Sequence, residues 1–288
     1  MMTRIALGAA QFGLKYGIAN EEGKVPPAEV ARILLRARKA GIKLIDTASS
    51  YGDSETVLGA CGIDGFMAVT KLGEVPCGCP DINSWVDDQV SLSLARLQIG
   101  TLEGLLLHRP QQLLSHIGRD LWRSLERQRS LGRVSRIGYS IYEPDELDQL
   151  YERYQADIVQ APFNVLDRRI EKAGWLDRLS SDGVKVHTRS AFLQGLLLMD
   201  PQHRPKWTQQ HSQLLADFDE WARSVQGGIE SACLSFCLAQ RGIDKVVIGV
   251  QSVAQLDKAL SAPTTMANLP PEWHGINDAA LVDPRLWP

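Results

Sequence analysis

Short apolar runs alternate along the chain with longer amphipathic stretches, the pattern of successive strand and helix units built on a parallel sheet. The runs predict strands at Ile5–Gly8, Lys43–Asp46, Phe66–Lys71, Leu102–His108, Arg136–Ser140, Ile158–Gln160, Lys185–Arg189 and Val246–Gly249. Apolar residues spaced i, i+3, i+4 predict helices at Pro26–Ala40, Ser54–Cys61, Ile82–Leu97, Arg119–Leu131, Glu143–Tyr154, Arg169–Ser181, Thr208–Val225, Ile229–Gln240 and Val253–Leu260. Pro26 and Pro27 open the first helix and Gly41 closes it, as Gly132 closes the fourth; proline suits a first helical turn and glycine a left-handed cap. The seventh connection holds an extra helix, and the stretch 263–288 reads as a Pro-rich, irregular tail.

Eight such units, with no Gly/Ser linker or break in composition, close most naturally into one α/β TIM barrel, (β/α)8, forming a single domain over 1–288. The rival is a doubly wound nucleotide-binding sheet, which calls for G-x-G-x-x-G after its first strand. The chain has Gly8-Ala-Ala-Gln-Phe-Gly13 there, without the middle glycine.

Composition narrows the function. Apolar residues make up 44% of the 288, enough to bury a full core, and 31 Lys+Arg nearly balance 34 Asp+Glu. A net charge of −3 argues against an electrostatic grip on nucleic acid. No apolar stretch approaches the ~18 residues of a membrane span. Residues 1–7 lack the zones of a signal peptide, so the expected location is cytoplasmic. Five dispersed cysteines do not make a disulfide framework. Cys77 with Cys79, and Cys233 with Cys237, lie close in sequence, but no His or Asp completes a zinc pattern, so no metal is expected.

In a barrel the chemistry collects where strands end at the C-terminal rim. Strand two ends at Asp46 and runs on to Tyr51-Gly52, strand three ends at Lys71, and strand four at His108. Each residue alone has an ordinary reading: a cap, a rim charge, a loop histidine, a packing tyrosine. Together they form an acid. A phenol with pKa near ~10 is a poor proton donor unless a neighbouring ammonium favours its anion, a role for Lys71. Asp46 would fix and charge Lys71, and neutral His108 would hydrogen-bond a substrate oxygen.

With these motifs the chain resembles the aldo-keto reductase superfamily from Leu7 to about Leu260. The likeness rests on Asp46-Thr-Ala-Ser-Ser-Tyr51-Gly52 followed by Ser54-Glu55, Thr70-Lys71, Leu105-Leu-Leu-His108, Ile137-Gly-Tyr-Ser140, Val159-Gln160 with Phe163-Asn164, and Val247-Ile-Gly249. The resemblance implies reduction of an aldehyde or ketone by direct hydride transfer from a nicotinamide cofactor, NADPH on family grounds with NADH as an alternative. Tyr51 is then the acid, with Lys71 and Asp46 its tuning pair and His108 orienting the carbonyl. Ser140 and Gln160 fall on the nicotinamide carboxamide, with Asn164 a weaker candidate. The segment Arg189, Ser190, Phe192, Gln194, Gly195 falls beneath the nicotinamide and along the pyrophosphate. Gly249, Gln251, Ser252 and Gln255 fall at the last loop and helix start, where a helix N-terminus can receive phosphate.

Three departures stand out. Arg189 replaces the aromatic that stacks on the nicotinamide, so it either disfavours the cationic oxidised ring or turns toward an anionic group. Gln251 stands where a basic residue often meets the 2′-phosphate, leaving only Lys258 nearby. The short connection after His108 leaves an open mouth, consistent with a sugar-type carbonyl, for which Phe12 and Tyr16 are candidate walls. The expected partner is this small molecule, with the protein a monomer or weak homo-oligomer. Trp85, Trp122, Trp175 and Trp221 lie at helical spacing and are read as packing on the outside of the barrel. Two other classes stay open: a cofactor-binding redox sensor or scaffold on the same fold without significant turnover, and a metal-dependent sugar isomerase, which would need more rim carboxylates and histidines.

Overall fold

The computed structural model describes residues 3–266, 270–273 and 276–288. Eight parallel strands close into a barrel in sequence order: β1 Ile5–Gly8, β2 Leu44–Asp46, β3 Met67–Leu72, β4 Leu102–Leu107, β5 Val134–Ser140, β6 Ile158–Pro162, β7 Lys185–Arg189 and β8 Lys245–Gly249. The last joins the first through Gly8 opposite Gly249. The predicted strands are therefore all present, displaced by at most two residues at either end.

Period-2 alternation divides each strand between two cores. Leu7, Ile45, Ala68, Leu105, Ile137, Val159 and Ile248 belong to the large core shared with the outer helices. Ala6, Leu44, Val69, Leu106, Ile158 and Val247 form a separate cluster inside the barrel. Two residues further along each strand, the same inward direction carries Gly8, Asp46, Lys71, His108, Gln160 and Gly249, so the rung above the inner core is where polar chemistry begins. Trp122, Trp175 and Trp221 are buried in the outer core as expected.

Helix boundaries diverge more than strands. The predicted helix Arg169–Ser181 is two pieces, Arg169–Lys172 and Trp175–Ser181, because Gly174 adopts φ 76° and breaks the ladder. The predicted Glu143–Tyr154 shrinks to Pro144–Leu150, fixed at its start by a Glu143/Glu146 capping box. Thr208–Val225 begins as a 3-10 turn, Lys206–His211, before the helix Ser212–Ser224. The tail read as irregular contains a helical turn, Ala279–Val282, and a 3-10 turn, Pro284–Leu286. Its Trp287 ring packs against Trp207 at 4.9 Å, and Arg285 sits 3.9 Å over the ring of Tyr142. The tail is held on the rim by these contacts.

Among the described residues no helix is long and apolar enough to cross a membrane, and the five cysteines are free. No group of three or more His, Cys, Asp or Glu side chains among the described residues is placed to hold a metal ion.

Gly138 permits the close approach of β5 to β6: a Cβ there would lie 1.8 Å from the Ile158 carbonyl oxygen. Gly138→Ala should therefore destabilise the barrel by about 3 kcal/mol, the upper part of the range for overpacking. Urea denaturation of the two proteins measures it, and an equal midpoint would show that the strands yield without cost.

Candidate active site

Lys71 has 1% of its surface exposed and is among the largest fully buried side chains. A buried ammonium must be paired. Its Nζ donates to Asp46 Oδ1 at 2.5 Å and to the Thr47 carbonyl at 2.9 Å. The other Asp46 oxygen accepts from Gln160 Nε2 at 2.7 Å, and Ser140 Oγ lies 3.4 Å from Gln160 Oε1. Burial pushes the Lys71 pKa down, and Asp46 opposes that shift.

The turn after β2 is tied to β3. Ser49 donates both its N–H and its hydroxyl to the Lys71 carbonyl, at 3.1 and 2.9 Å, and Tyr51 N–H closes the turn on Ala48. Tyr51 is thereby held with its ring centroid 5.1 Å from the Lys71 ammonium and 5.8 Å, edge-on, from the His108 ring. His108 Nδ1 lies 3.0 Å from Ser50 Oγ. The structure thus brings the four strand-end residues together.

One electrostatic expectation is corrected. Tyr51 is pushed up from the ordinary phenol value, not down, because burial outweighs everything else and Asp46 adds to it. The cation that opposes the rise is Arg189, while the charge of Lys71 is spent on Asp46. His108 is pushed down to about 4 by burial and by the cations Lys71, Arg189 and Arg109. It is neutral at physiological pH, as expected.

A cavity of about 510 Å³ runs from Tyr51 and Asp46 across the mouth to Glu230 and Lys258. It lies on the β1/β8 side, where the inward rung is Gly8 and Gly249 and leaves space that the Asp46 to Gln160 side fills. A Cβ at Gly249 would lie 2.4 Å from Gln11 Oε1, and one at Gly195 would lie 2.8 Å from Ala19. The walls include Arg189, Ser190, Phe192, Gln194, Gly195, Gly249, Gln251 and Gln255 of the predicted set. Glycines floor the cavity and leave room for a nicotinamide dinucleotide, and Tyr51 lines it.

Other placements differ from expectation. Gln160 is fully buried and outside the cavity wall, acting on Asp46. Asn164 is structural: its Oδ1 accepts from Leu166 and Asp167 N–H groups, and its Nδ2 donates to the Ser190 carbonyl. Phe12 is in the core, whereas Tyr16 lines the cavity and keeps part of its surface exposed. Arg189 lies 4.2 Å over the Tyr142 ring and donates to the Ile141 carbonyl at 3.0 Å. Among the described residues no carboxylate forms an ion pair with it.

The helix start at Ser252 is closed by side chains. Ser252 Oγ accepts from Gln255 N–H, Gln251 N–H donates to Gln255 Oε1, and Val253 N–H donates to Glu29 Oε1. Sequence reasoning missed Gln11, Glu230 and Asn20. Asn20 Oδ1 accepts from Gln251 Nε2 and so links the first loop to the last. No local pattern marks these residues.

The family model for the aldo/keto reductase family matches residues 4–278 of this eight-stranded barrel. The chain belongs to that family, whose members carry out nicotinamide-dependent carbonyl reduction. It is similar over its full length to L-galactose dehydrogenase of Arabidopsis thaliana, 24% identical and covering 93% of that protein. It is 25% identical to L-glyceraldehyde 3-phosphate reductase of Escherichia coli over 86% of this chain and 83% of that one. Among solved structures, an aldo-keto reductase from Bacillus halodurans superposes with a TM-score of 0.74 at 20% identity, covering 99% of this chain and 96% of that one.

Two predictions follow from the geometry. Lys71→Met leaves Asp46 charged and buried without a cation, and should cost about 3 kcal/mol or more of stability, part of which Asp46→Asn in the same chain restores. Denaturant midpoints of the wild type and the two variants decide it. The His108 ring should titrate near 4 by NMR. An imidazole whose folded pKa lies below its unfolded value contributes nothing above pH ~6.5, and its neutral burial opposes folding as pH falls from ~6.5 toward 4. His187 is pushed down to about 4 by burial as well, so His108→Asn should reduce, not abolish, the loss of stability across that window, read from thermal melts at each pH.

Proposed function

We propose that the protein reduces an aldehyde or ketone to the alcohol with Tyr51 as proton donor. The reading is carried by the juxtaposition of a buried Asp46–Lys71 pair, a tyrosine beside it and a cavity wall that tyrosine shares. When bound, a reduced nicotinamide dinucleotide supplies the hydride to the carbonyl carbon.

Burial keeps the proton on Tyr51 Oη until the substrate oxygen acquires charge. The proton then moves from Oη to that oxygen, and the phenolate left behind has the Lys71 ammonium 5.1 Å from its ring centre. Ser50 engages Nδ1 of His108, which leaves Nε2 as the atom to orient the carbonyl oxygen. Asp46, Gln160 and the Thr47 carbonyl keep Lys71 in place while this happens. Ser140 and Gln160 are buried behind the cavity wall and would support the site through Asp46, while Arg189, Ser190, Phe192, Gln194 and Gly195 of the wall would hold the nicotinamide and pyrophosphate. Arg189 disfavours the positively charged oxidised ring relative to the neutral reduced one.

A sugar-type carbonyl is the substrate class this reading favours. Tyr16 supplies an aromatic wall at the mouth, and the similar proteins include a galactose dehydrogenase and, from Novosphingobium aromaticivorans, a 6-dehydroglucose reductase, 24% identical over 90% of this chain.

Tyr51→Phe should lower kcat for a reactive aldehyde such as 4-nitrobenzaldehyde by about 100-fold or more, with dinucleotide affinity changed less than about twofold. Full turnover in that variant would remove Tyr51 as the acid. A wild-type protein that binds dinucleotide but turns over no member of an aldehyde and sugar panel would be the sensor or scaffold instead.

A further inference from the structure

The cavity has two ends with different charge. Tyr51 and Asp46 occupy one, and a dinucleotide that presents its nicotinamide there must lay its adenosine half toward the other, formed by Gln255, Lys258 and Glu230. This orientation rests on the reading above. The only lysine or arginine of the described cavity wall at that end is Lys258, since Arg189 belongs to the Tyr51 end.

Lys258 is already engaged. Its Nζ lies 3.0 Å from Glu230 Oε2, and the carboxylate is the more enclosed partner, with 11% of its side chain exposed against 63% for the lysine. Glu230 lies in the first turn of the helix Gly228–Ala239, a favourable place for a carboxylate. At the neighbouring helix start, where a phosphate would look for N–H donors, Glu29 takes the Val253 N–H at 2.9 Å. The third polar group, Gln251, spends its amide on Asn20 at 2.9 Å.

We infer that this end selects a dinucleotide without a 2′-phosphate, so that the protein binds NADH in preference to NADPH, reversing the preference that family resemblance implies. A ribose 2′-hydroxyl is a donor that a carboxylate accepts, the pairing used to recognise NAD in other folds. A 2′-phosphate carries a charge of about −1.5 to −2 at neutral pH. It would meet Glu230 of the cavity wall, and it would have to take Lys258 from Glu230 to gain one cation; Glu29 lies outside that wall and is paired with Arg32. Like charges brought together in a partly enclosed site disfavour the complex more than one shared lysine favours it.

The test is equilibrium titration of the whole protein with NADH and with NADPH, followed by quenching of tryptophan fluorescence. NADH should bind roughly tenfold or more tighter. Glu230→Gln should narrow that ratio at least threefold, chiefly by strengthening NADPH, and Lys258→Gln, which leaves Glu230 without its cation, should widen it. Thermal melts of both variants establish that they are folded. Equal affinities or tighter NADPH binding, an unchanged ratio in Glu230→Gln, or a narrower ratio in Lys258→Gln would each overturn the inference while leaving the carbonyl-reducing site intact. If neither dinucleotide binds, the reading of the cavity itself fails and this inference goes with it.

Discussion

A lysine with 1% exposure cannot keep its charge unless the fold supplies a counter-charge and fills the remaining donors, and much of the site follows from how this one does so. Asp46 from β2 meets Lys71 from β3, the Thr47 carbonyl takes a second ammonium proton, and Gln160 from β6 takes the free carboxylate oxygen. Three strands are thereby locked in register at the level where the inner core ends. The same Lys71 residue holds the following turn through its carbonyl, so one position fixes both the cation and the phenol beside it. Opposite, Gly8 and Gly249 contribute no side chain, and the space left open there is the cavity.

Strands were the most legible part of the chain because a short apolar run bounded by polar turns has one simple solution in a closed sheet. Three of the four site residues were legible for a related reason: an inward residue lies two positions beyond the last inward apolar one, so Leu44 points to Asp46, Val69 to Lys71 and Leu106 to His108, while Tyr51 follows in the turn after β2. Helices were less legible. Amphipathic periodicity runs through Gly174 and across His211, yet the backbone breaks at the first and tightens at the second.

What stayed hidden were contacts between distant segments. Gln160 meets Asp46 across 114 positions, Asn20 meets Gln251 across 231, and Glu230 meets Lys258 from a different helix. No periodicity encodes such pairs. Burial was hidden in the same way. An ammonium next to a phenol reads as an acid-lowering arrangement when the sequence gives proximity alone, but the three-dimensional site adds desolvation and a carboxylate, and these dominate.

That reversal does not weaken the case for Tyr51 as donor; it changes what the cations are for. Catalysis depends on the difference in stabilisation between the resting state and the transition state. In the resting site the phenol is neutral, Lys71 is balanced by Asp46, and the proton is held firmly. On the proposed reading the proton leaves Tyr51 for the substrate oxygen, and in a low-dielectric pocket each nearby positive charge would reduce the cost of that step. Lys71 above the ring and Arg189 in the wall are aligned with that later state. The raised pKa already includes those charges: the site as a whole favours the phenol, and the fixed cations limit how much the departing proton costs rather than making the phenolate stable.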